Sequence, residues 1–324
     1  MAVPIYASPL ERVWYYAFRV ICALIFLFLV APILIVIPLS FNVEPYFSFT
    51  HKMLAFDPTG YSLRWYDTLL TLGLNAPEDA VRDSGWWGQV WAQATWVKAA
   101  KNSLWIGLWA TVLATVLGTV AALGLSRPEM PYRRVIMAVL ISPMIVPIII
   151  IGTGLFFFYS QACVPKDWLI GQALAPVLSP KGCLANSHLG IILAHATLGI
   201  PFVIITVTAT LSGFDQSLIR AAASLGANPR TTFFKVIMPL ILPGVISGAL
   251  FAFVTSFDEV VAVLFIGGPE QQTIPRQMWN GIREAISPAI LAVATILVIV
   301  SICLLATVEL LRRRSERLRG VTPS

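Results

Sequence analysis

Charged residues are scarce in this chain, and their scarcity decides the class of protein. Lys, Arg, Asp and Glu together make up 12% of the 324 residues, whereas hydrophobic residues make up 57%. Soluble domains run nearer to half apolar and a quarter charged. The composition therefore excludes a large soluble domain and predicts a polytopic membrane protein.

Residues that build enzyme and metal sites are also few. The three histidines, His51, His188 and His195, are scattered through the sequence, and no group has metal-ligand spacing. No Gly-rich phosphate loop ending in Lys-Ser or Lys-Thr occurs, so we expect the chain to bind no ATP itself. No cluster of nucleophile and base indicates an enzyme. The net charge of +6 is expected to come from basic cytoplasmic loops rather than from nucleic-acid binding.

The four cysteines fall into two groups. Cys22 and Cys303 lie in apolar runs, where we expect inert residues packed among apolar neighbours. Cys163 and Cys183 flank one polar loop, residues 160–187. If that loop is periplasmic, a disulfide between them is permitted. Sequence does not supply the geometry of a bridge, so both the bridged and the reduced form stay open.

Six apolar runs are long enough to cross the ~30 Å hydrocarbon core of a membrane. The predicted spans are residues 19–41, 102–125, 135–159, 188–211, 241–266 and 288–311. Pro143 and Pro147 are expected to kink the third span. The tryptophan-rich residues 85–98 are expected to form an interfacial helix. The predicted fold is an all-α membrane protein with six transmembrane helices.

The distribution of Lys and Arg predicts the orientation of these spans. An even number of spans places both termini on one side of the membrane. Most of the basic residues lie on that side, in the N-terminal segment, the 126–134 turn, the 212–240 loop and the C-terminal tail. The positive-inside rule therefore places both termini and the 212–240 loop in the cytoplasm.

The 212–240 loop is predicted to be helical although it lies between two spans. Asp215 is placed to cap a first short helix, and Gly226 suits the left-handed conformation that often ends a helix. Asn228 and Pro229 suit the start of a second helix. Small and basic residues in this stretch favour a surface to which a partner docks. A solvated helical hairpin without a partner is the alternative, and it stays open.

Residues 217–240 resemble the coupling loop of ABC importer permeases. In that loop two alanines are followed, after two residues, by a hydrophobic residue and a glycine, with a proline about a dozen residues later. The residues that the resemblance implies for ATPase coupling are Arg220, Ala221, Ala222, Leu225, Gly226, Ala227 and Pro239. Arg220 replaces the acidic residue that names the motif, so a role of that carboxylate does not carry over to this chain.

From about residue 101 to 311 the chain resembles the membrane component of binding-protein-dependent ABC importers. The runs SFDEVVAVLFIGGP, TIPRQMW, EAISP and SLRWY are similar to those of the spermidine/putrescine permease subfamily. The resemblance implies a type I importer fold, a polyamine or related amine as solute, and a multi-pass protein of the bacterial inner membrane. It also implies three regions: an N-terminal anchor helix and periplasmic segment (1–97), the transporter domain (98–312) and a basic cytoplasmic tail (313–324).

The resemblance further implies that the chain works with partners. These are a dimer of ATP-binding subunits, a second permease subunit forming a heterodimer, a periplasmic solute-binding protein and membrane lipid, with no nucleic acid. No cofactor is expected on this chain, because ATP and Mg belong to the partner ATPase. The ATPase motion would switch the permease pair between inward-open and outward-open states through the 217–240 loop.

Phe257, Asp258 and Glu259 form the candidate substrate pathway. Two adjacent carboxylates inside the fifth predicted span are costly unless they are paired or hydrated. One interpretation is that one of them lines the pathway and attracts a cationic solute; the other is a structural ion pair or a polar packing contact. A competing class of protein is a stand-alone secondary transporter or channel, which would use Asp258 or Glu259 as a cation or proton site.

Overall fold

All regular elements of the described residues are helices. The computed structural model describes residues 8–75, 81–127, 129–165, 167, 169–213, 215, 217–284 and 286–318. They form two compact units, Met1–Val90 with Gly281–Ser324, and Trp91–Asn280. The all-α architecture predicted from the sequence is confirmed.

The first unit is built around two long helices. Helix α1 (Pro9–Leu39) begins with a capping box, in which Ser8 and Glu11 each accept a backbone N–H of the other. It packs against α15 (Ala289–Leu318), which also contacts α3 (Arg64–Thr71). The shorter helices α2 (His51–Leu54) and α4 (Ser84–Gln93) accompany them. The tryptophan-rich helix predicted over residues 85–98 therefore exists, but it ends before residue 94.

The second unit has a core of three helices that pack closely together. Helices α5 (Thr95–Leu125), α9 (His188–Ser212) and α12 (Met238–Asp258) contact one another along their lengths. Glycines permit this approach, since a Cβ on Gly118 would lie 2.7 Å from Val203 Cβ and one on Gly248 would lie 2.8 Å from Val203 Cα. The buried residues Ala114, Val203, Val207, Ile241 and Ala252 fill the space between the helices.

Shorter helices surround this core. Helices α6 (Arg133–Ile145) and α7 (Ile148–Gln161) meet at a bend of 101°. Pro147 lies at the bend, so the kink predicted for the third span is present and is a sharp break. Helix α13 (Val261–Ile266) packs on α7, and α14 (Ile274–Glu284) follows it. The remaining helices are α8 (Leu169–Leu174), α10 (Ser217–Ser224) and α11 (Pro229–Thr232).

Several helices have the length and apolarity that a membrane span requires. Among the described residues four qualify, namely Pro9–Leu39, Thr95–Leu125, His188–Ser212 and Pro229–Asp258. The bent pair α6 and α7 adds a fifth if it is one span, and the apolar part of α15, Ala289–Cys303, is shorter. The membrane-protein class is confirmed, whereas the count of six spans stays a prediction.

The polar loop between α7 and α9 is held at its base by a covalent bond. Cys163 and Cys183 form a disulfide. Beside it, Val164 N–H donates to Gly182 O at 2.9 Å and Leu184 N–H donates to Ala162 O at 3.1 Å. The loop therefore returns to its starting point just before α9 begins.

Candidate functional site

The predicted coupling loop folds as a compact hairpin between α9 and α12, which we call the coupling hairpin (residues 217–237). Asp215 starts it, because its carboxylate accepts the Ser217 N–H at 2.8 Å and the Ser217 hydroxyl at 2.7 Å. These two bonds stabilise the charged carboxylate and lower the pKa of Asp215 below its ordinary value. The capping role predicted for Asp215 is confirmed.

The turn in the middle of the hairpin depends on backbone conformation. Gly226 has φ +78°, a left-handed value that glycine adopts without strain. Its N–H donates to Ala223 O at 2.9 Å, while Ala227 N–H donates to Ala222 O at 3.0 Å. This pair of bonds is a Schellman motif, which satisfies the last carbonyls of α10. Both N-terminal signals of the second helix are also confirmed, because Asn228 Oδ1 accepts Thr231 N–H at 2.8 Å and Pro229 is its first residue.

The surface of the hairpin is apolar and cationic. Leu225 is 88% exposed and Phe234 is 66% exposed, whereas Ala222 is buried. The basic side chains Arg220, Arg230 and Lys235 are also exposed. Exposed large apolar side chains on a polar turn are typical of a surface that a partner covers.

The hairpin joins α12 through one turn that is wider than an α-helix. Residues Phe233–Ile237 form a π turn, in which Met238 N–H donates to Phe233 O. The proline of the coupling motif, Pro239, follows at once. Proline has no N–H to donate, and its ring clashes with the carbonyl four residues earlier, here that of Lys235. A widened turn separates these groups, so Pro239 accounts for the π turn physically.

The acidic pair lies where the helix stops. Helix α12 ends at Asp258, Glu259 is extended (φ −75°, ψ 122°), and α13 begins at Val261. The carboxylate of Glu259 accepts the N–H groups of Val261 at 2.6 Å and Ala262 at 3.0 Å. The uninterrupted helix predicted over residues 241–266 is therefore wrong, because the Glu259 side chain satisfies the first amides of a new helix.

The two carboxylates consequently have different surroundings. Glu259 is half-buried and hydrogen-bonded to the backbone, whereas Asp258 is exposed. Within the described ranges, no Lys, Arg or His lies within ion-pair distance of either one. Phe257, the third predicted pathway residue, is half-buried and stacks on Phe253 with ring centroids 5.6 Å apart.

A buried polar contact that sequence reasoning missed holds this end of α12. His195 Nδ1 of α9 lies 2.8 Å from Ser256 Oγ, and both side chains are buried. The contact joins two helices of the three-helix core, which is a structural role for His195. In the sequence, the signal for this contact is one polar residue in each of two apolar runs. The two residues can be paired only when the alignment of the two helices along each other is known.

The hairpin and the acidic pair are joined by one helix and do not form one cluster. They lie at opposite ends of α12, whose 21 residues span roughly 30 Å at 1.5 Å per residue. Because α12 is packed along the three-helix core, it links the exposed apolar side chains of the hairpin to an exposed carboxylate.

Comparisons with known proteins show what the chain is similar to. Residues 114–317 match the family described as binding-protein-dependent transport system inner membrane component. The chain is 26% identical over 292 residues to the spermidine/putrescine transport system permease protein PotC of Haemophilus influenzae, covering 90% of this chain and 95% of PotC. It is 28% identical over 279 residues to the putrescine transport system permease protein PotI of Escherichia coli, covering 86% of this chain and 84% of PotI.

A solved structure shares the fold. The match is to a bacterial alginate ABC transporter, in complex with an alginate pentasaccharide-bound periplasmic protein, with a TM-score of 0.60 and 16% identity. The alignment covers 97% of this chain and 98% of the other. The likeness confirms the importer-permease fold expected from the sequence.

Proposed function

Because the chain belongs to the family of binding-protein-dependent transport system inner membrane components, we propose that it serves an ATP-driven importer of a polyamine or a related amine. Membership makes the chain a membrane permease subunit of an ABC importer. The two permeases described above, to which it is similar over most of its length, are named for spermidine and putrescine, and this supports an amine cargo.

The coupling hairpin is the proposed contact with the ATP-binding subunits. Leu225 and Phe234 supply exposed apolar anchors, and the surrounding basic residues favour a partner with acidic groups. Arg220 stands where the motif of the family has an acid, so the partner groove facing it is expected to differ in charge. ATP and Mg would be held by that partner, and its closure would move α12 between two states of the transporter.

Asp258 is the proposed cation-attracting residue of the pathway. It is exposed and has no ion-pair partner in the described part of the chain. The carboxylate of Glu259 accepts hydrogen bonds from the amides of Val261 and Ala262. Its proposed role is therefore to stabilise the helix break that leaves Asp258 at a helix end. A carboxylate at membrane depth favours a cationic solute.

The disulfide supports the proposed orientation. Disulfides form in oxidising compartments such as the periplasm. Cys183 lies just before the start of α9 and the coupling hairpin follows its end, and α9 has the length of a membrane span. We therefore propose that the hairpin and both termini lie in the cytoplasm and that the 160–187 loop lies in the periplasm.

The remaining partners and regions follow from the family. A second permease would complete the pathway, and a periplasmic solute-binding protein would deliver the amine. We propose the same three regions as the sequence suggests: an anchor and periplasmic region (1–97), a transporter domain (98–312) and a basic tail (313–324). Residues 319–324 of the tail lie outside the described residues.

Reconstitution of the complex tests this function. The chain would be expressed with a candidate ATPase, second permease and solute-binding protein from the same organism, and ATP hydrolysis would be measured against a panel of polyamines, amino acids and opines. Stimulation by one amine in the presence of the binding protein is the expected result. Absence of any ATPase association would favour the secondary transporter instead.

A further inference from the structure

A cavity of about 610 Å³ lies between the coupling hairpin and the turn that follows α5. Its volume is within the range of small-molecule sites in proteins. Three elements form it: the end of α5 with its following turn, the end of α9, and the inner side of the hairpin. The exposed apolar residues Leu225 and Phe234 do not line this cavity, and Ala227 is the one residue of the coupling motif that does.

The wall of the cavity is mostly apolar. It includes Leu123 of α5, Leu211 of α9, and Ile219, Phe233 and Ile237 of the hairpin. Such a wall favours an alkyl chain, since burial of apolar surface contributes about 25 cal/mol per Å².

The rim of the cavity carries one charge of each sign. Arg127 and Glu129 both line it from the turn after α5. They are not an ion pair with each other, and the described residues offer neither side chain a hydrogen-bond partner. Both charges are therefore available to a ligand that carries an anion and a cation close together.

The position of the cavity indicates where such a ligand would come from. Helices α5 and α9 both have the length and apolarity of membrane spans, and the cavity lies at the point where both end. In a bilayer that both helices span, their ends lie near the level at which the headgroups meet the hydrocarbon.

We propose that this cavity binds a zwitterionic glycerophospholipid with a primary ammonium headgroup. Its phosphate contacts Arg127 and its ammonium contacts Glu129. The part of an acyl chain nearest the headgroup packs on the apolar wall. A purely anionic headgroup leaves Glu129 unpaired and repelled, and a quaternary ammonium has no N–H to donate to it. Because the same cavity touches α5 and the hairpin, the bound lipid connects the coupling surface to the core.

Native mass spectrometry of the full chain in detergent tests the site, without needing an ATPase or a transported solute. Phosphatidylethanolamine, phosphatidylglycerol and phosphatidylcholine with the same acyl chains would be titrated separately. We expect one phosphatidylethanolamine to bind preferentially. Arg127→Gln should weaken phosphatidylethanolamine and phosphatidylglycerol alike, by about tenfold, which is the scale of one charge-assisted hydrogen bond. Glu129→Gln should remove the preference for phosphatidylethanolamine over phosphatidylglycerol.

Two further variants separate the site from the general charge of the surface. Arg133→Gln removes an exposed arginine that does not line the cavity, and it should leave binding unchanged. Ala223→Phe fills the cavity from an exposed position on α10 while keeping both charges, and it should reduce phosphatidylethanolamine binding about as much as Arg127→Gln.

The proposal would be overturned by equal binding of phosphatidylethanolamine to wild type, Arg127→Gln and Ala223→Phe. A preference for phosphatidylglycerol over phosphatidylethanolamine in the wild type would also overturn it, since that result describes a cationic surface. Water-soluble glycerophosphoethanolamine should bind far more weakly than the intact lipid, and equal affinity would contradict the role of the apolar wall.

Discussion

Small residues serve different purposes in the three-helix core and in the coupling hairpin. In the core, a Cβ on Gly244 would lie 2.1 Å from Thr210 Oγ1, and one on Gly248 would lie 2.5 Å from Thr206 Oγ1. In the hairpin, a Cβ on Gly226 would meet nothing within 4 Å, yet its φ of +78° excludes most side chains. Core glycines are needed for space, whereas the hairpin glycine is needed for conformation.

The burial of large apolar residues also differs between the two regions. Ile241 and Val203 are fully buried in the core, whereas Leu225 and Phe234 of the hairpin are exposed. The described helices bury the apolar residues of the core, whereas they leave the apolar residues Leu225 and Phe234 of the hairpin exposed. We therefore propose that the core supplies rigidity and that a partner covers the hairpin.

The largest effect is expected from crowding the core. Gly248→Leu forces a side chain into Val203 Cα and Thr206, and overpacking of this kind costs about 3 kcal/mol. Purified protein should lose its folded state, measured as thermal stability and monodispersity in detergent. Gly124→Leu is the matched control, because Gly124 also lies in a membrane-length helix but has no neighbour within 4 Å of its Cβ position. Equal damage from both variants would contradict the close-packing account.

The next largest effect concerns the shape of the hairpin. Gly226→Val places a β-branched residue in the left-handed region, which costs about 1–2 kcal/mol of conformational free energy. The substitution should therefore distort the end of α10. The chain should remain folded in the membrane, while solute-stimulated ATP hydrolysis of the assembled importer is lost. Gly226→Asn should retain most of the coupling, because asparagine tolerates this conformation. Normal coupling with valine would show that the hairpin does not transmit the motion.

The end of α12 allows the two carboxylates to be separated. Asp258→Asn should weaken uptake of a cationic amine by about tenfold, the scale of one interaction between exposed charges in a water-like dielectric. Glu259→Gln should reduce uptake less, because the amide oxygen still accepts the N–H groups of Val261 and Ala262. The apparent affinity for the amine would be measured in cells carrying the complete importer. Unchanged uptake with Asp258→Asn would exclude Asp258 from the pathway.

The smallest effect is expected at the junction of core and hairpin. Pro239→Ala restores an N–H and removes the ring that separates residue 239 from Lys235 O, so the turn at 233–237 should close towards an α-helix. Hydrogen exchange at these amides should slow, and coupling should fall a few-fold. Pro243→Ala, inside α12 without a π turn before it, is the control. Faster exchange in Pro239→Ala would contradict the link between the proline and the π turn.

Much of the hairpin could be predicted from sequence, because its structure depends on local chemistry. Asp215, Gly226 and Asn228 act within two or three residues of their own positions, and each was assigned correctly. The apolar runs likewise predicted the long helices, since length and hydropathy are properties of the chain itself.

Features that depend on distant contacts were missed or only partly predicted. The break at Glu259 is local by contrast, since its carboxylate accepts the amides two and three residues ahead, but it lies within an apolar run in which hydropathy alone does not mark the end of a helix. Pro143 and Pro147 indicated a kink, but the 101° bend between α6 and α7 also depends on packing with their neighbours. Helix α5 begins at Thr95, before the start of the apolar run at residue 102 that predicted it.

Crosslinking from the hairpin tests the central claim most directly. A photo-reactive phenylalanine analogue would be introduced at position 225 or 234, and the chain would be expressed with the candidate ATPase. Ile246, an exposed apolar residue on α12, is the control position. The account predicts crosslinks to the ATPase from 225 and 234, altered by ATP, and none from 246. Absence of ATPase crosslinks from 225 and 234, or equal crosslinking from 246, would contradict it.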